Sequence, residues 1–274
     1  MTTPHEQIAF IGGGNMASAI IGGLMKRGAA ASTIQVIEPF EETRLRLQKK
    51  FGLDVREAPS PHLASATLVV WAVKPQTFEA AARQTGLHTP TALHLSVAAG
   101  ITSGSIARWL CSERIVRAMP NTPALVGKGM TALFARPAVT AAQRLSVERV
   151  IQTTGDFLWL SDEAQLDAVT ALSGSGPAYV FYFIEAMIEA GVAMGLTHEQ
   201  AHQLAIGTFV GASALAESSD EPIDVLRSRV TSKGGTTYAA ITSMERDNVK
   251  SLFARAMQAA KHRAKEMGDE FGSA

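Results

Sequence analysis

The stretch Ile8-Ala-Phe-Ile-Gly12-Gly-Gly14-Asn-Met-Ala17 decides the reading of the first half of the chain. Four apolar residues form a strand-like run. They end on a G-x-G-x-x-A pattern and are followed by a helical pattern over Asn15–Arg27. Glycines at such a turn let backbone come close to a pyrophosphate, and the helix that follows offers free N–H groups and a partial positive charge. The motif is common by itself, but the strand before it and the helix after it are the required context. Ile8–Met25 holds no charge and is about as long as a membrane span, yet it carries five glycines and an asparagine, with only His5 and Glu6 just before it. It reads as strand, turn and buried helix, not as a signal peptide or anchor.

Outward from this turn, Ile34–Glu38, Thr67–Val73, Ala92–Val97 and Ile115–Met119 read as further buried strands, and Glu41–Phe51 as a helix. This β-α-β rhythm predicts a parallel, doubly wound α/β sheet of Rossmann type. Gly129–Phe134 and Phe157–Leu160 are two more strand candidates, separated by a helix around Thr140–Thr153. Glu38 ends the second strand, 24 residues after Gly14. There an acid can bind the adenosine ribose hydroxyls and repel a 2′-phosphate, which tilts the expected cofactor from NADPH towards NADH; it could equally be a solvated loop acid. Arg44 and Arg46 on the next helix would soften that repulsion.

The pattern changes near Ser161. Beyond it, Ser175–Gly195, Thr197–Ser218, Pro222–Val230, Thr236–Met244 and Asp247–Met267 read as helices with almost no strand signal between them. The expected division is therefore a dinucleotide-binding domain over 1–161 and an all-helical domain over 162–274. Tyr179–Met194 is apolar around most of its circumference. Such a helix must be buried, either within its own domain or against another subunit, and a homodimer through it is expected.

Composition narrows the classes. The 274 residues are 46% hydrophobic and 18% charged, with 25 basic and 25 acidic side chains. A chain of this length can bury a large core, and zero net charge without a basic stripe points away from nucleic acid and anionic membranes. The single cysteine, Cys111, allows no internal disulfide and suits a reducing compartment, the cytoplasm.

Further motifs close the strands: Ala72-Val-Lys-Pro75, Leu95-Ser-Val-Ala-Ala-Gly100 and Met119-Pro-Asn-Thr-Pro123. The second half adds Ser173-Gly-Ser-Gly-Pro-Ala-Tyr179 and Thr231-Ser-Lys-Gly-Gly-Thr-Thr237. In this order the set resembles the pyrroline-5-carboxylate reductase family, from about Ile8 to about Lys265. The resemblance implies a Rossmann domain followed by a helical domain that interlocks with that of a second subunit, with dimers often assembled into a ring-like decamer. It implies reduction of 1-pyrroline-5-carboxylate to L-proline, the last step of proline synthesis, with NADPH or NADH. Carried over, Ile11, Gly12, Gly13, Gly14, Asn15, Met16 and Ala17 cradle the pyrophosphate. Ala72, Val73, Lys74 and Pro75, with Val97, Ala98 and Ala99, line the ribose and nicotinamide, and Asn121 lies near the nicotinamide end. Ser232, Gly234, Gly235, Thr236 and Thr237 surround the substrate carboxylate and ring nitrogen, with Thr237 beside the nitrogen. Lys233 falls at a position that varies in the family, and Glu38 replaces the small, polar or basic residues of many members.

The residues suit that chemistry without the resemblance. A glycine-containing loop entering a helix can grip a carboxylate with backbone N–H groups and hydroxyls. Reduction of an already protonated imine needs positioning more than a strong acid. Lys74 could touch the ribose or nicotinamide, or brace its loop.

Two other signals are weighed against this reading. His198-Glu-Gln-Ala-His202 matches H-E-x-x-H, but Thr197 with Gln200 forms a capping box there, and Ala205 stands where the extended metalloprotease spacing needs glycine, so no metal is expected. The β-hydroxyacid dehydrogenases carry a lysine four residues after a G-x-G in the second domain, and here Gly174-Ser-Gly176 is followed there by Val180. A non-catalytic dinucleotide sensor would need the first-half motif but not the Thr231–Thr237 loop.

Overall fold

The structure, a computed structural model, describes residues 6–272; the outermost positions of both expected domains lie outside that range. Eight strands form one sheet: β1 (Ile8–Ile11), β2 (Ile34–Ile37), β3 (Asp54–Arg56), β4 (Leu68–Trp71), β5 (Leu93–Ser96), β6 (Ile115–Met119), β7 (Gly129–Ala135) and β8 (Gly155–Trp159). Their order is β3-β2-β1-β4-β5-β6-β7-β8. All neighbours are parallel except β6 and β7, which pair antiparallel, so the sheet is mixed at one join. Helices α1 (Asn15–Lys26), α2 (Glu41–Phe51), α3 (Pro75–Gly86), α4 (Ser103–Leu110) and α5 (Ala141–Ile151) connect the strands.

Strand alternation feeds two apolar layers. Ile8 and Phe10 point into one, with Ile20, Ile21, Leu24 and Leu47; Ala9 and Ile11 point into the other, with Trp71, Phe78, Ile106 and Trp109. Both faces of β1 and β4 are thus covered, which is why these strands read as unbroken apolar runs. In the second layer Trp71 stacks on Phe78 with ring centroids 5.1 Å apart, and its indole N–H donates to His94 Nδ1 at 3.3 Å. Burial in this layer, helped by the nearby Arg114 charge, pushes the His94 pKa down to about 3, so the ring is neutral.

Among the strands and α-helices up to β8, three were absent from the sequence reading: β3, with two of its three residues exposed; α3, which starts on Pro75 directly after a strand motif; and α4, whose first turn is Ser-Gly-Ser. The helical run begins with α6 (Gln165–Val169) and a π-helical turn over Thr170–Gly174. It continues through α7 (Gly176–Ala193), α8 (His198–Glu217), α9 (Ile223–Arg229), α10 (Thr236–Arg246) and α11 (Val249–Gly272).

The chain forms two compact units. One takes the chain up to Ser175 together with everything from Ala260 onward; the other is Gly176–Ala259. These compact units part after Ser175, whereas the domains expected from sequence part between 161 and 162, and the end of α11 belongs to the sheet-containing unit. The physical reason is local: α6 and the π turn pack beside β6 and β7, not with the helices that follow them.

Within the second unit, α7 and α8 pack together, and Gly191 meets Ala201 so closely that a Cβ on the glycine would stand 2.9 Å from the Ala201 Cβ. Beyond Gly191, Ala201 and Ala205, no residue described in this unit is buried. The apolar helix α7 leaves Phe181 61% and Tyr182 69% exposed, and Met194 just after it 79% exposed. The burial expected for this helix is not supplied by the chain itself. No helix among the described residues is long and apolar enough to cross a membrane.

Candidate functional site

The carboxyl ends of β1, β2, β4, β5 and β6 share one edge of the sheet, and strand order reverses between β1 and β4. This topological switch point is where doubly wound sheets bind ligands. Gly12 enters the first turn with φ +95°, and a Cβ there would stand 2.5 Å from the Ala72 carbonyl oxygen. Only glycine fits, because the β1 and β4 loops touch backbone to backbone. Gly14 caps α1 through its backbone alone; no side chain caps the helix, and a Cβ on Gly14 would meet nothing within 4 Å. The first-turn N–H groups of α1 therefore face open space, as a pyrophosphate requires. Asn15 and Met16 start that turn, and Ala17 is buried behind it.

Glu38 is not a solvated acid. It is 6% exposed; its Oε2 accepts from the Gly13 N–H at 2.7 Å and its Oε1 from the Phe40 N–H at 3.0 Å. It thereby ties the end of β2 to the glycine turn. Arg44 donates to the Glu38 and Pro39 carbonyls and Arg46 reaches the Gly13 carbonyl at 3.4 Å, so both guanidinium groups border the same corner. Exposed Lys74 sits just ahead of α3, and its carbonyl accepts from the Thr77 N–H and hydroxyl at 3.1 Å.

The loop after β5 carries Val97, Ala98 and Ala99. The Ala98 N–H donates to Ser96 Oγ at 3.3 Å, and the far end of the loop is held by Glu163. That carboxylate accepts from the Ser103 N–H at 2.6 Å, the Ser103 hydroxyl at 2.5 Å and Arg117 Nη1 at 2.8 Å. Burial alone would raise the Glu163 pKa; the hydrogen bonds from Ser103 and Arg117 outweigh it and hold the carboxyl below its ordinary range. Sequence reasoning passed over this cluster. Its signal was Arg117, a charge inside the apolar run Ile115–Met119, which a buried strand carries only with a partner.

Asn121, after β6, is fully engaged: its side-chain N–H groups donate to the Ser173 carbonyl and hydroxyl at 3.3 and 3.2 Å, and its oxygen accepts from the Met130 N–H at 3.0 Å. It joins the β6 loop to the π turn, a rare geometry that often marks functional sites.

In the helical unit, Thr231–Gly235 forms a tight turn: the Gly235 N–H donates to the Ser232 carbonyl at 3.0 Å, and Gly234 adopts φ +77°. Gly235 caps α10, again with no side-chain cap, and Thr236 and Thr237 in its first turn are exposed. Ser232 and Lys233 are exposed beside them. Tyr179 packs edge-on against Phe253 at 5.5 Å, an aromatic contact within the helices. His198 and His202 stack 6.3 Å apart on α8 behind the Thr197–Gln200 capping box, and among the described residues no third metal-ligating group gathers with them.

Comparison with known proteins decides the family. Residues 163–267 match the family model described as pyrroline-5-carboxylate reductase dimerisation, and residues 7–100 match that of the coenzyme F420-dependent NADP oxidoreductases. A pyrroline-5-carboxylate reductase of Pseudomonas aeruginosa is 43% identical over 274 residues, covering 99% of this chain and 100% of its own. The chain belongs to the pyrroline-5-carboxylate reductase family. The reductase of Haemophilus influenzae is 40% identical over 96% of this chain and 98% of its own. The solved reductase of Coxiella burnetii superposes with TM-score 0.89 at 38% identity, over 96% of this chain and 98% of its own. That of Plasmodium falciparum, solved with NADP bound, gives TM-score 0.85 at 29% identity over 96% and 98%. The family thus accounts for both the sheet edge and the helical unit. Glu38, Ala72–Pro75, Val97–Ala99 and Asn121 gather with the Gly12–Ala17 turn at one sheet edge, and Ser232–Thr237 gather at one helix start.

Proposed function

We propose that this member of the family reduces 1-pyrroline-5-carboxylate to L-proline, with NAD(P)H bound at the Gly12–Ala17 turn and the imine acid held by Ser232, Gly234, Gly235, Thr236 and Thr237. The observation that supports the substrate reading is the start of α10, which has no side-chain cap and so leaves its first N–H groups available to a small carboxylate, with two exposed threonines in the same turn. The open, glycine-lined start of α1 carries the cofactor reading in the same way.

The dihydronicotinamide supplies a hydride to the imine carbon. The chain's own work is positional. Backbone N–H groups of the α10 turn hold the carboxylate and so fix the ring. The Thr237 hydroxyl accepts a hydrogen bond from the protonated imine nitrogen and keeps it as the secondary amine forms, so no strong acid is required. Val97–Ala99 and Ala72–Pro75 form the walls against which the nicotinamide half lies. Asn121 serves that end through the loop it ties to Ser173.

Glu38 favours NADH in this reading. Its buried carboxylate lies at the end of β2 bonded to the Gly13 N–H, and a 2′-phosphate at that corner would meet a like charge that Arg44 and Arg46 only partly offset. Helix α7 and its neighbours form a homodimer, the building block of the ring-like decamer that the resemblance implies. The single, reduced Cys111 suits the cytoplasm.

The test is spectrophotometric: consumption of NADH and NADPH with pyrroline-5-carboxylate, for the wild type and Glu38→Ser. Turnover with both, a higher kcat/KM for NADH and a shift towards NADPH in Glu38→Ser are expected. No turnover with either cofactor overturns the function. A strong NADPH preference unchanged in Glu38→Ser overturns the role of the acid.

A further inference from the structure

The last turns of α11 lie against the loop that follows β5. A Cβ on Gly268 would stand 2.9 Å from the Gly100 carbonyl oxygen, and a Cβ on Gly100, which has φ +79°, would stand 3.1 Å from the Met267 Cβ. Four residues on, the Gly272 carbonyl accepts from Ser105 Oγ at 2.7 Å and from Arg108 Nη2 at 2.9 Å, while Phe271 packs on the apolar layer around Phe78 and Trp109. Glycine inside a helix is unfavourable relative to alanine. Here that cost accompanies a backbone-to-backbone approach that a side chain would block.

We propose that the end of α11, through Gly268 and Gly272, is a positioning element for the reaction: it fixes the peptide of Gly100 and with it the orientation of Val97, Ala98 and Ala99 towards the nicotinamide half. The loop is then held at three points. Ser96 Oγ fixes its start, Gly268 its middle, and Glu163, through Ser103, its end. Each of these groups acts through the loop. The proposal rests on the cofactor reading above, which places the nicotinamide against Val97–Ala99.

Gly268→Ala is the test, because the two roles open to this glycine predict opposite results. As an ordinary helix position, alanine would raise Tm and leave kinetics unchanged. As a spacer, alanine pushes on the Gly100 carbonyl; KM for NAD(P)H is expected to rise about tenfold, with kcat changed less and no gain in Tm. Affinity for ADP-ribose, which lacks the nicotinamide, stays at the wild-type level. A Gly268→Ala protein with higher Tm and wild-type KM overturns the proposal, as does equal weakening of NAD(P)H and ADP-ribose. If Gly268→Ala does not fold, Ser105→Ala, which removes one hydroxyl tied to Gly272, is measured instead; a severalfold rise in the same KM supports the proposal and an unchanged one overturns it. Amide hydrogen exchange over residues 98–101 gives a readout free of catalysis. Faster exchange in the variant supports the positioning role even if the wild type reduces no imine, the outcome that would sink the function alone; unchanged exchange overturns it.

Discussion

The sheet-containing unit and the helical unit are built on opposite terms. The first encloses two apolar layers in which Phe10, Trp71, Phe78 and Ile106 are fully buried. The second buries only Gly191, Ala201 and Ala205 among its described residues, and presents Phe181, Tyr182, Leu204 and Val210 to solvent. Contiguous exposed apolar surface on this scale marks an interface. One unit closes over its own core; the other leaves exposed an apolar surface of the kind that an oligomer interface covers. The division of labour follows: the self-sufficient unit presents the cofactor edge, and the dependent one presents the α10 turn.

The comparison breaks most directly at Tyr182. Tyr182→Asp places a charge on the exposed apolar face of α7. We expect dissociation to monomers on sedimentation and loss of more than about a hundredfold in activity, with NAD(P)H binding by the sheet unit retained. A folded, active monomer would refute the dependence of the helical unit on its partner.

A second expected effect sharpens the assignment of substrate to the helical unit. Thr237→Ala should lower kcat/KM for the imine by roughly tenfold to a thousandfold, as loss of one hydrogen bond to a charged group predicts, with cofactor affinity barely changed. Thr237→Ser should keep much of the activity. Normal turnover in the alanine variant, with only a lower Tm, would reduce Thr237 to a helix-packing residue.

The converse change strikes the sheet unit. Gly12→Ala forces a Cβ against the Ala72 carbonyl at a backbone angle that only glycine adopts freely. It should destabilise by about 1–3 kcal/mol and weaken NAD(P)H binding while leaving the dimer intact. Denaturant unfolding and cofactor titration read the two effects separately.

The smallest effect is a pH dependence that arises inside the sheet unit. His94 is neutral in the fold, with a pKa of about 3 against an ordinary 6.5. Above 6.5 neither state binds the proton and nothing is lost. Below it the unfolded chain takes up a proton that the buried ring refuses, so stability falls by about 1.4 kcal/mol per pH unit. Glu163, with its pKa held low in the fold, adds a further loss only in the acid carboxylate range. Urea unfolding should show the first slope, and His94→Gln, which keeps an acceptor for the Trp71 indole, should flatten it. An unchanged slope in that variant would remove His94 as its source.

What could be read from sequence was whatever local periodicity encodes. β1 and β4 are buried on both faces and stand out as apolar runs, and α7, apolar on all sides, already called for burial within its own domain or against another subunit. The glycine turn and the Thr231–Thr237 loop carry their chemistry in consecutive residues. What stayed hidden depends on distant pairs. Glu163 meets Ser103 across 60 residues and Arg117 across 46. Asn121 finds Ser173 across 52, and the π turn over Thr170–Gly174 forms where that segment packs beside β6. The antiparallel join of β6 and β7 is likewise set by tertiary pairing. For Glu38, sequence left a choice between ribose ligand and solvated acid; burial and the bond to Gly13 exclude the solvated one.

The return of α11 to the sheet-containing unit has a consequence for how the molecule is made. A ribosome delivers the chain from its amino end, so the glycine turn, β1 and β4 emerge early. The loop after β5 waits for Met267, Gly268, Phe271 and Gly272, which follow the whole helical unit along the chain. The first unit to begin folding is therefore unable to finish until the whole helical unit has been made, and a nascent chain that stalls within α10 carries a recognisable sheet with an unsupported loop after β5.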